Sequence, residues 1–341
     1  MSAYPVDHAD GYVKLDAMEN PYRLPGALRA QLGQRLSALP INRYPDAGGS
    51  ALKQALRRSF PIAAEAEVLL GNGSDEIISL VTQALARPGA RVLALEPSFV
   101  MYRLNARFSQ MEYLGVELNA DFTLNLPALL EAVRRHQPEV IFIAYPNNPT
   151  GNRFARADIE ALLESASGLV VVDEAYASFA DDSLLALAGR VENLLVMRTL
   201  SKLGMAGIRL GYALSTPAWI DALNKVRPPY NVNVLTQETA GFLLEHHQVF
   251  EQQAQELRRE RSRLAQGMHS LPGLHPFASE ANFITVRVAD ADGVFAFFKK
   301  AGILIKNLHG SHPLLDQCLR ITVGSPEEND AVLAALSAYF D

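Results

Sequence analysis

The chain has 341 residues, 49% of them hydrophobic and 20% charged, with a formal net charge of −6. This is the composition of an ordinary globular protein, long enough for one large domain plus a smaller one. The acidic balance and the lack of a basic run argue against a nucleic-acid surface, and apolar stretches of about five to eight residues fall far short of the roughly 20 that a transmembrane helix needs.

The opening segment, MSAYPVDHADGYVKLDAMENPY, carries acidic residues early and no basic start before an apolar core, so it does not read as a secretory signal. The single cysteine, Cys318, excludes an intramolecular disulfide and any multi-cysteine zinc site; no metal is expected, and a reducing, cytoplasmic location is. At 71–76 the text GNGSDE follows an apolar VLL and opens a predicted helix over 74–86. A glycine turn feeding a helix presents free N–H groups and a positive dipole end to an anion. Ser74 or Asp75 at this point also suits a plain helix cap.

Apolar runs then alternate with helical text: RVLALE at 91–96, the helix LPALLEAVRRH at 126–136, EVIFIAY at 139–145, GLVVVDEAY at 168–176 and NLLVMRTLSK at 193–202. Runs that are apolar throughout, not at every second residue, predict parallel strands covered by helices on both faces. From about 236 to 271 the sequence reads as one long charged helix passing from one domain to the next. The remainder offers strands in ANFITVRV, GILIKNL and CLRITVG and helices in DGVFAFFKKA and PEENDAVLAALSAYF, a compact α+β unit. No G-x-G-x-x-G opens the first strand and helix, which removes the usual dinucleotide-binding reading.

In open α/β sheets ligands sit at the carboxyl ends of strands, so the polar residues ending apolar runs carry the functional argument. Asp173 follows four apolar residues and needs a cationic or N–H partner if buried; a protonated ring nitrogen, an ion pair or a helix cap would each serve. Lys202 ends another apolar run, where desolvation lowers an amine toward its nucleophilic form. Around it, Ser201-Lys202-Leu203-Gly204-Met205-Ala206-Gly207-Ile208-Arg209 combines a hydroxyl, an amine, permissive glycines and a guanidinium fork suited to phosphate.

The succession of GNGSDE, PNNPTG at 146–151, Asp173-Glu174-Ala175-Tyr176, and Ser201-Lys202 with Arg209 resembles the class I/II aminotransferases, the fold-type I pyridoxal-phosphate enzymes. Within that group LDAMENPY at 15–22, RYPDAGG at 43–49, LIKNLHG at 304–310 and CLRITVG at 318–324 are similar to the histidinol-phosphate aminotransferases along essentially the whole chain. The resemblance implies a three-layer α/β/α large domain with a mostly parallel sheet over 37–245 and a smaller α+β domain over 246–341. It also implies an N-terminal arm over 1–36 that joins the small domain and a homodimer.

It further implies pyridoxal 5'-phosphate as cofactor, held covalently by Lys202, which also shuttles the proton, with Asp173 on the pyridine nitrogen and Asn148 and Tyr176 on the phenolic oxygen. Gly73, Ser74, Asp75, Thr199, Ser201 and Arg209 lie at or near the phosphate by the same resemblance. Phe99 stacks on the ring, where many relatives carry tyrosine, and Tyr44 reaches the other protomer's cofactor. Tyr22, Lys306 and Arg320 meet the substrate; Lys306 stands where many relatives have arginine and lacks the bidentate fork.

The implied reaction moves an amino group between L-histidinol phosphate and 2-oxoglutarate, giving imidazole-acetol phosphate and glutamate in histidine biosynthesis. An aromatic aminotransferase or a threonine-phosphate decarboxylase would share these motifs, because no linear motif shows which bond at the α-carbon breaks. A non-catalytic regulator on the same fold would normally add a DNA-binding extension, and none is legible.

Overall fold

The structure, a computed structural model, describes residues 8–340, so the first seven residues of the predicted arm lie outside it. Its centre is a seven-stranded sheet in the order Glu67–Asn72, Leu210–Ser215, Leu194–Thr199, Leu169–Asp173, Val140–Ala144, Arg91–Glu96 and Glu112–Glu117. Leu210–Ser215 runs antiparallel to both its neighbours, and the other adjacent pairs are parallel.

Every residue of Val140–Ala144 and Leu169–Asp173 is buried, and the reason is the alternation of side chains across a strand. Ile141, Ile143, Val170 and Val172 enter one apolar cluster, while Val140, Phe142, Leu169 and Val171 enter a second on the opposite face. Helices Gly73–Leu85, Met101–Phe108 and Pro217–Asn224 cover the second face through residues such as Ile77, Ala106 and Ile220. Helices Ser50–Ser59, Leu126–His136 and Arg156–Ser165 cover the first through Leu56, Leu129 and Leu162. Burying each such aliphatic side chain is worth about 1.5–3 kcal/mol over leaving it exposed, so a charge placed at Val171 would unseat the helices packed on the second face.

The first cluster continues into the C-terminal part through Phe250, Leu257, Phe283, Ile321 and Leu336. There a four-stranded antiparallel sheet has the order Lys306–Asn307, Cys318–Thr322, Phe283–Arg287, His275–Pro276, flanked by helices Ala291–Lys300 and Pro326–Phe340. From the N-terminal arm, Val13–Lys14 pairs in parallel with Ile303–Leu304.

The long helix predicted over 236–271 is two helices, Val234–Glu245 and His247–His269. The break falls at His246, whose backbone leaves helical geometry (φ −113°, ψ 27°) while its ring packs edge-on against Phe242 at 4.8 Å. An unbroken charged periodicity cannot reveal a corner set by one ring contact.

Candidate active site

Five strand ends of the large sheet, at Asn72, Glu96, Ala144, Asp173 and Thr199, open toward the same side, and the chain turns there each time. Ser74, Asp75, Phe99, Asn148, Asp173, Tyr176, Thr199, Ser201, Lys202 and Arg209 together line a cavity of about 110 Å³. Gly73 stands one residue outside that lining at the start of helix Gly73–Leu85. Its φ is +76°, and a Cβ there would lie 2.7 Å from the Arg209 guanidinium, so only glycine lets the helix start so close to that cation.

One end of the cavity is built for an anion. The N-cap of the helix, Asn72, makes no side-chain capping bond; its amide NH2 donates to the Asn231 carbonyl at 2.6 Å. Ser74 and Asp75 therefore sit in the first turn beside uncapped N–H groups. Arg209, in the left-handed region at φ 52°, reaches Ser201 Oγ at 3.4 Å and Asp75 Oδ2 at 3.3 Å. Contacts this long leave its fork available to a stronger anionic partner. Thr199 Oγ1 accepts from the Ser201 N–H at 3.1 Å and donates to Ser201 Oγ at 2.9 Å, shaping the loop that carries Lys202.

At the other end Asp173 is 4% exposed. Its Oδ2 accepts from the Tyr102 hydroxyl at 2.8 Å and its Oδ1 from the Ala175 N–H at 3.1 Å. Burial pushes its carboxyl up to about 7 in spite of these two donors, as desolvation of a charge requires. Tyr102 is a site residue that the sequence reading missed. Lying in the amphipathic text MYRLNARF, it looks like one more core aromatic, and nothing local points its hydroxyl at a residue 71 positions away.

Between the two ends lies Lys202. Burial, with the Arg320 charge nearby, brings its amine down to about 8. Its Nζ donates to the Ala17 carbonyl at 2.9 Å and lies 6.0 Å from the centre of the Tyr176 ring. Arg320 donates to the neighbouring Asp16 carbonyl at 2.8 Å and to Asn148 Oδ1 at 2.7 Å. With that oxygen engaged, the Asn148 amide has its NH2 to offer a ligand.

A second cavity of about 240 Å³ adjoins the first, sharing Met18, Phe99 and Asn148 and adding Lys306, Arg320, Glu96 and His312. Tyr22 lines neither cavity; its ring packs against the core while its N–H donates to Asn20 Oδ1 at 2.8 Å. Tyr44 lines neither as well, being 81% exposed and stacked on Tyr230 at 4.5 Å. The site is thus shaped for a flat heterocycle with an anionic tail and a basic ring atom, next to a cationic compartment and within reach of a desolvated amine.

This fold and site define a pyridoxal-type transferase architecture, and the family model for aminotransferase class I and II matches residues 10–336: the chain belongs to that family and is an aminotransferase. The histidinol-phosphate aminotransferase of Chromobacterium violaceum is 62% identical over 340 residues, spanning 100% of this chain and 96% of its own. Among solved structures, the histidinol-phosphate aminotransferase of Sinorhizobium meliloti in complex with pyridoxal-5'-phosphate superposes with a TM-score of 0.88 at 23% identity, over 99% of this chain and 95% of that one. The L-threonine-O-3-phosphate decarboxylase of Porphyromonas gingivalis does so at 0.83 and 24%, over 96% and 99%; the fold alone serves both chemistries.

Proposed function

We propose that this enzyme moves the amino group between L-histidinol phosphate and 2-oxoglutarate in histidine biosynthesis, using pyridoxal 5'-phosphate. The observation that carries the reading is the placing of Lys202, a desolvated amine lining the anion-ended cavity, which adjoins a second compartment lined by Lys306 and Arg320. The name borne by the 62% identical relative favours this substrate over phenylalanine or threonine phosphate.

The donor set fits the cofactor: Arg209, Ser201 and the first turn at Ser74 and Asp75 for its phosphate, Asp173 for its ring nitrogen, Phe99 for its ring face, Asn148 and Tyr176 for its phenolic oxygen. Bound there, pyridoxal phosphate supplies an aldehyde that condenses with amines and a ring that accepts the electron pair released at the substrate α-carbon. Lys202, its amine lowered to about 8, would hold the cofactor through that aldehyde, and the same amine is the base that would take the substrate α-proton and return it. The carboxylate of Asp173 holds a proton at the ring nitrogen. Lys306 and Arg320 form a shared anchor for the phosphate monoester in one stage and the dicarboxylate in the other.

The working unit in this reading is a cytoplasmic homodimer. Ile41, Tyr44, Tyr230 and Leu235 are large apolar side chains left exposed on the single chain, and Tyr44 is assigned to the partner's cofactor phosphate with Tyr22 at the substrate entrance. Sedimentation should give about twice 37.3 kDa, and two singly inactive chains, Tyr44→Ala and Lys202→Ala, should regain activity when mixed.

Substrate choice is tested by following the absorbance of the loaded enzyme as L-histidinol phosphate, phenylalanine, aspartate and threonine phosphate are offered separately. Histidinol phosphate should discharge the visible band fastest. A faster response to phenylalanine, or carbon dioxide released from threonine phosphate, replaces the assignment.

A further inference from the structure

Asp173 has one hydrogen-bond donor from its own turn, the Ala175 N–H, and one brought from a distant helix, the Tyr102 hydroxyl. The second is held with little freedom. Tyr102 is fully buried, its ring stacked on Phe142 at 4.7 Å with planes 7° apart and set edge-on to Phe99 at 5.7 Å and 86°. Offset or perpendicular aromatic pairs of this kind resist rotation inside a packed core.

The helix that carries Tyr102, Met101–Phe108, is also bolted to the helix that begins the anion end. Ser79 Oγ donates to Asn105 Oδ1 at 2.5 Å, and Ser109 Oγ to Thr82 Oγ1 at 3.0 Å. One rigid pair of helices therefore sets three things at once: the uncapped N–H groups at Gly73–Asp75, the Phe99 face and the direction of the Asp173 carboxylate.

We infer that Tyr102 is a positioning residue of the amino-transfer site, its hydroxyl fixing the Asp173 carboxylate that meets the cofactor's ring nitrogen and its ring fixing the Phe99 face beside the same heterocycle. This rests on the reading that pyridoxal phosphate occupies the 110 Å³ cavity. A hydroxyl donor stabilises the ionised carboxylate. The single proton shared by the carboxylate and the ring nitrogen is thereby kept on the nitrogen, where an electron sink needs it. Without the hydroxyl, Oδ2 loses its donor, the proton moves toward Asp173 and the carboxylate turns more freely.

The test loads full-length parent and Tyr102→Phe chains with pyridoxal phosphate labelled with 15N in the ring and reads its resonance, together with the dissociation constants of the cofactor and of an analogue with CH in place of the ring nitrogen. In the parent the resonance should be that of a protonated nitrogen; in Tyr102→Phe it should move toward neutral pyridine. Cofactor affinity should fall on the order of tenfold, as for a lost hydrogen bond to a charged group, while analogue affinity stays within about twofold of the parent, the precision expected for an interaction left untouched. In an Asp173→Asn background, Tyr102→Phe should change neither quantity. Incorporating 3-fluorotyrosine at position 102, a stronger donor of nearly the same shape, should keep the nitrogen protonated and provides a folded comparison should the phenylalanine variant be unstable.

Equal weakening of cofactor and analogue would make Tyr102 a packing residue only, and an unmoved resonance with unmoved affinities would overturn the inference outright. A parent chain that binds neither probe would instead bring down the cofactor assignment itself, and the inference with it.

Discussion

Lys306 and Arg320 are register partners on adjacent antiparallel strands, and both line the larger cavity. Like charges directly opposite each other destabilise a sheet, so this pairing makes structural sense with an anion between or beside the two side chains. Inorganic phosphate should therefore raise the melting temperature of the parent chain by mass action, and much less that of Arg320→Ala. In the same variant the dissociation constant for L-histidinol phosphate should rise by about tenfold or more, as for a lost charge-assisted bond, with a smaller rise in Lys306→Ala, which loses a point charge and not a fork. Unchanged affinity in both variants would remove the anchor from this site.

Replacing Lys202 by alanine should abolish amino transfer, with turnover reduced at least 10²–10⁴-fold, the range typical of a lost general base. The variant should also lose the covalent attachment of cofactor that borohydride makes permanent, which mass spectrometry detects directly. Full-speed turnover by Lys202→Ala would end the mechanism proposed above.

Asp173 supplies a pH signature. Its folded-state carboxyl is raised from 3.8 to about 7 by burial, so between those values the folded chain binds more protons than the unfolded one and stability falls as pH rises. Melting temperatures of the cofactor-free parent relative to Asp173→Asn should accordingly drop from pH 4 to above pH 7. Lys202 acts at the alkaline end: its amine is lowered from 10.5 to about 8, the unfolded chain binds the extra proton in that window, and stability rises with pH across it. Lys202→Met should flatten that second slope. Parallel curves for parent and variant in either window would contradict the burial of the group concerned.

Gly211 lies where the reversed strand passes under the anion end. A Cβ at this position would sit 2.5 Å from the Gly73 carbonyl carbon and from the Ser74 nitrogen, and backbone cannot yield as a side-chain tip can. Gly211→Ala should lower the melting temperature, at a cost of about 1–3 kcal/mol for overpacking. Cofactor affinity should fall more than general destabilisation explains, since the displaced atoms are those of the anion cradle. Equilibrium denaturation and cofactor titration on the same preparation separate the two effects.

The polar clusters ending apolar runs were legible because strand burial and strand-end chemistry are both local to the text: Asp173 is the last residue of a fully buried strand, and Lys202 lies in the short helical turn Ser201–Met205 just after a mostly buried one. The helix Leu126–His136 matches its sequence boundaries because Asn125 caps it, accepting from the Ala128 N–H at 3.2 Å. Other features have no such local signature. The carbonyls of Asp16 and Ala17 that hold Arg320 and Lys202 are backbone atoms and look the same in any sequence. Tyr102 required knowing which helix packs over which strand. The packing of Tyr22 against the core depends on how the N-terminal segment lies once Val13–Lys14 has paired with Ile303–Leu304.

The apolar cluster that runs without interruption from one face of the large sheet into the C-terminal sheet also constrains how the enzyme can breathe. Swinging the two parts open about a hinge would wet that seam, and close-packed interiors resist being parted. Motion that admits and encloses a substrate is therefore expected to be a small sliding of packed layers past each other. Lys306 and Arg320, carried on the sliding layer, would tighten on an anion by shifts of an ångström or so, and the Lys202 amine would stay where the large sheet put it.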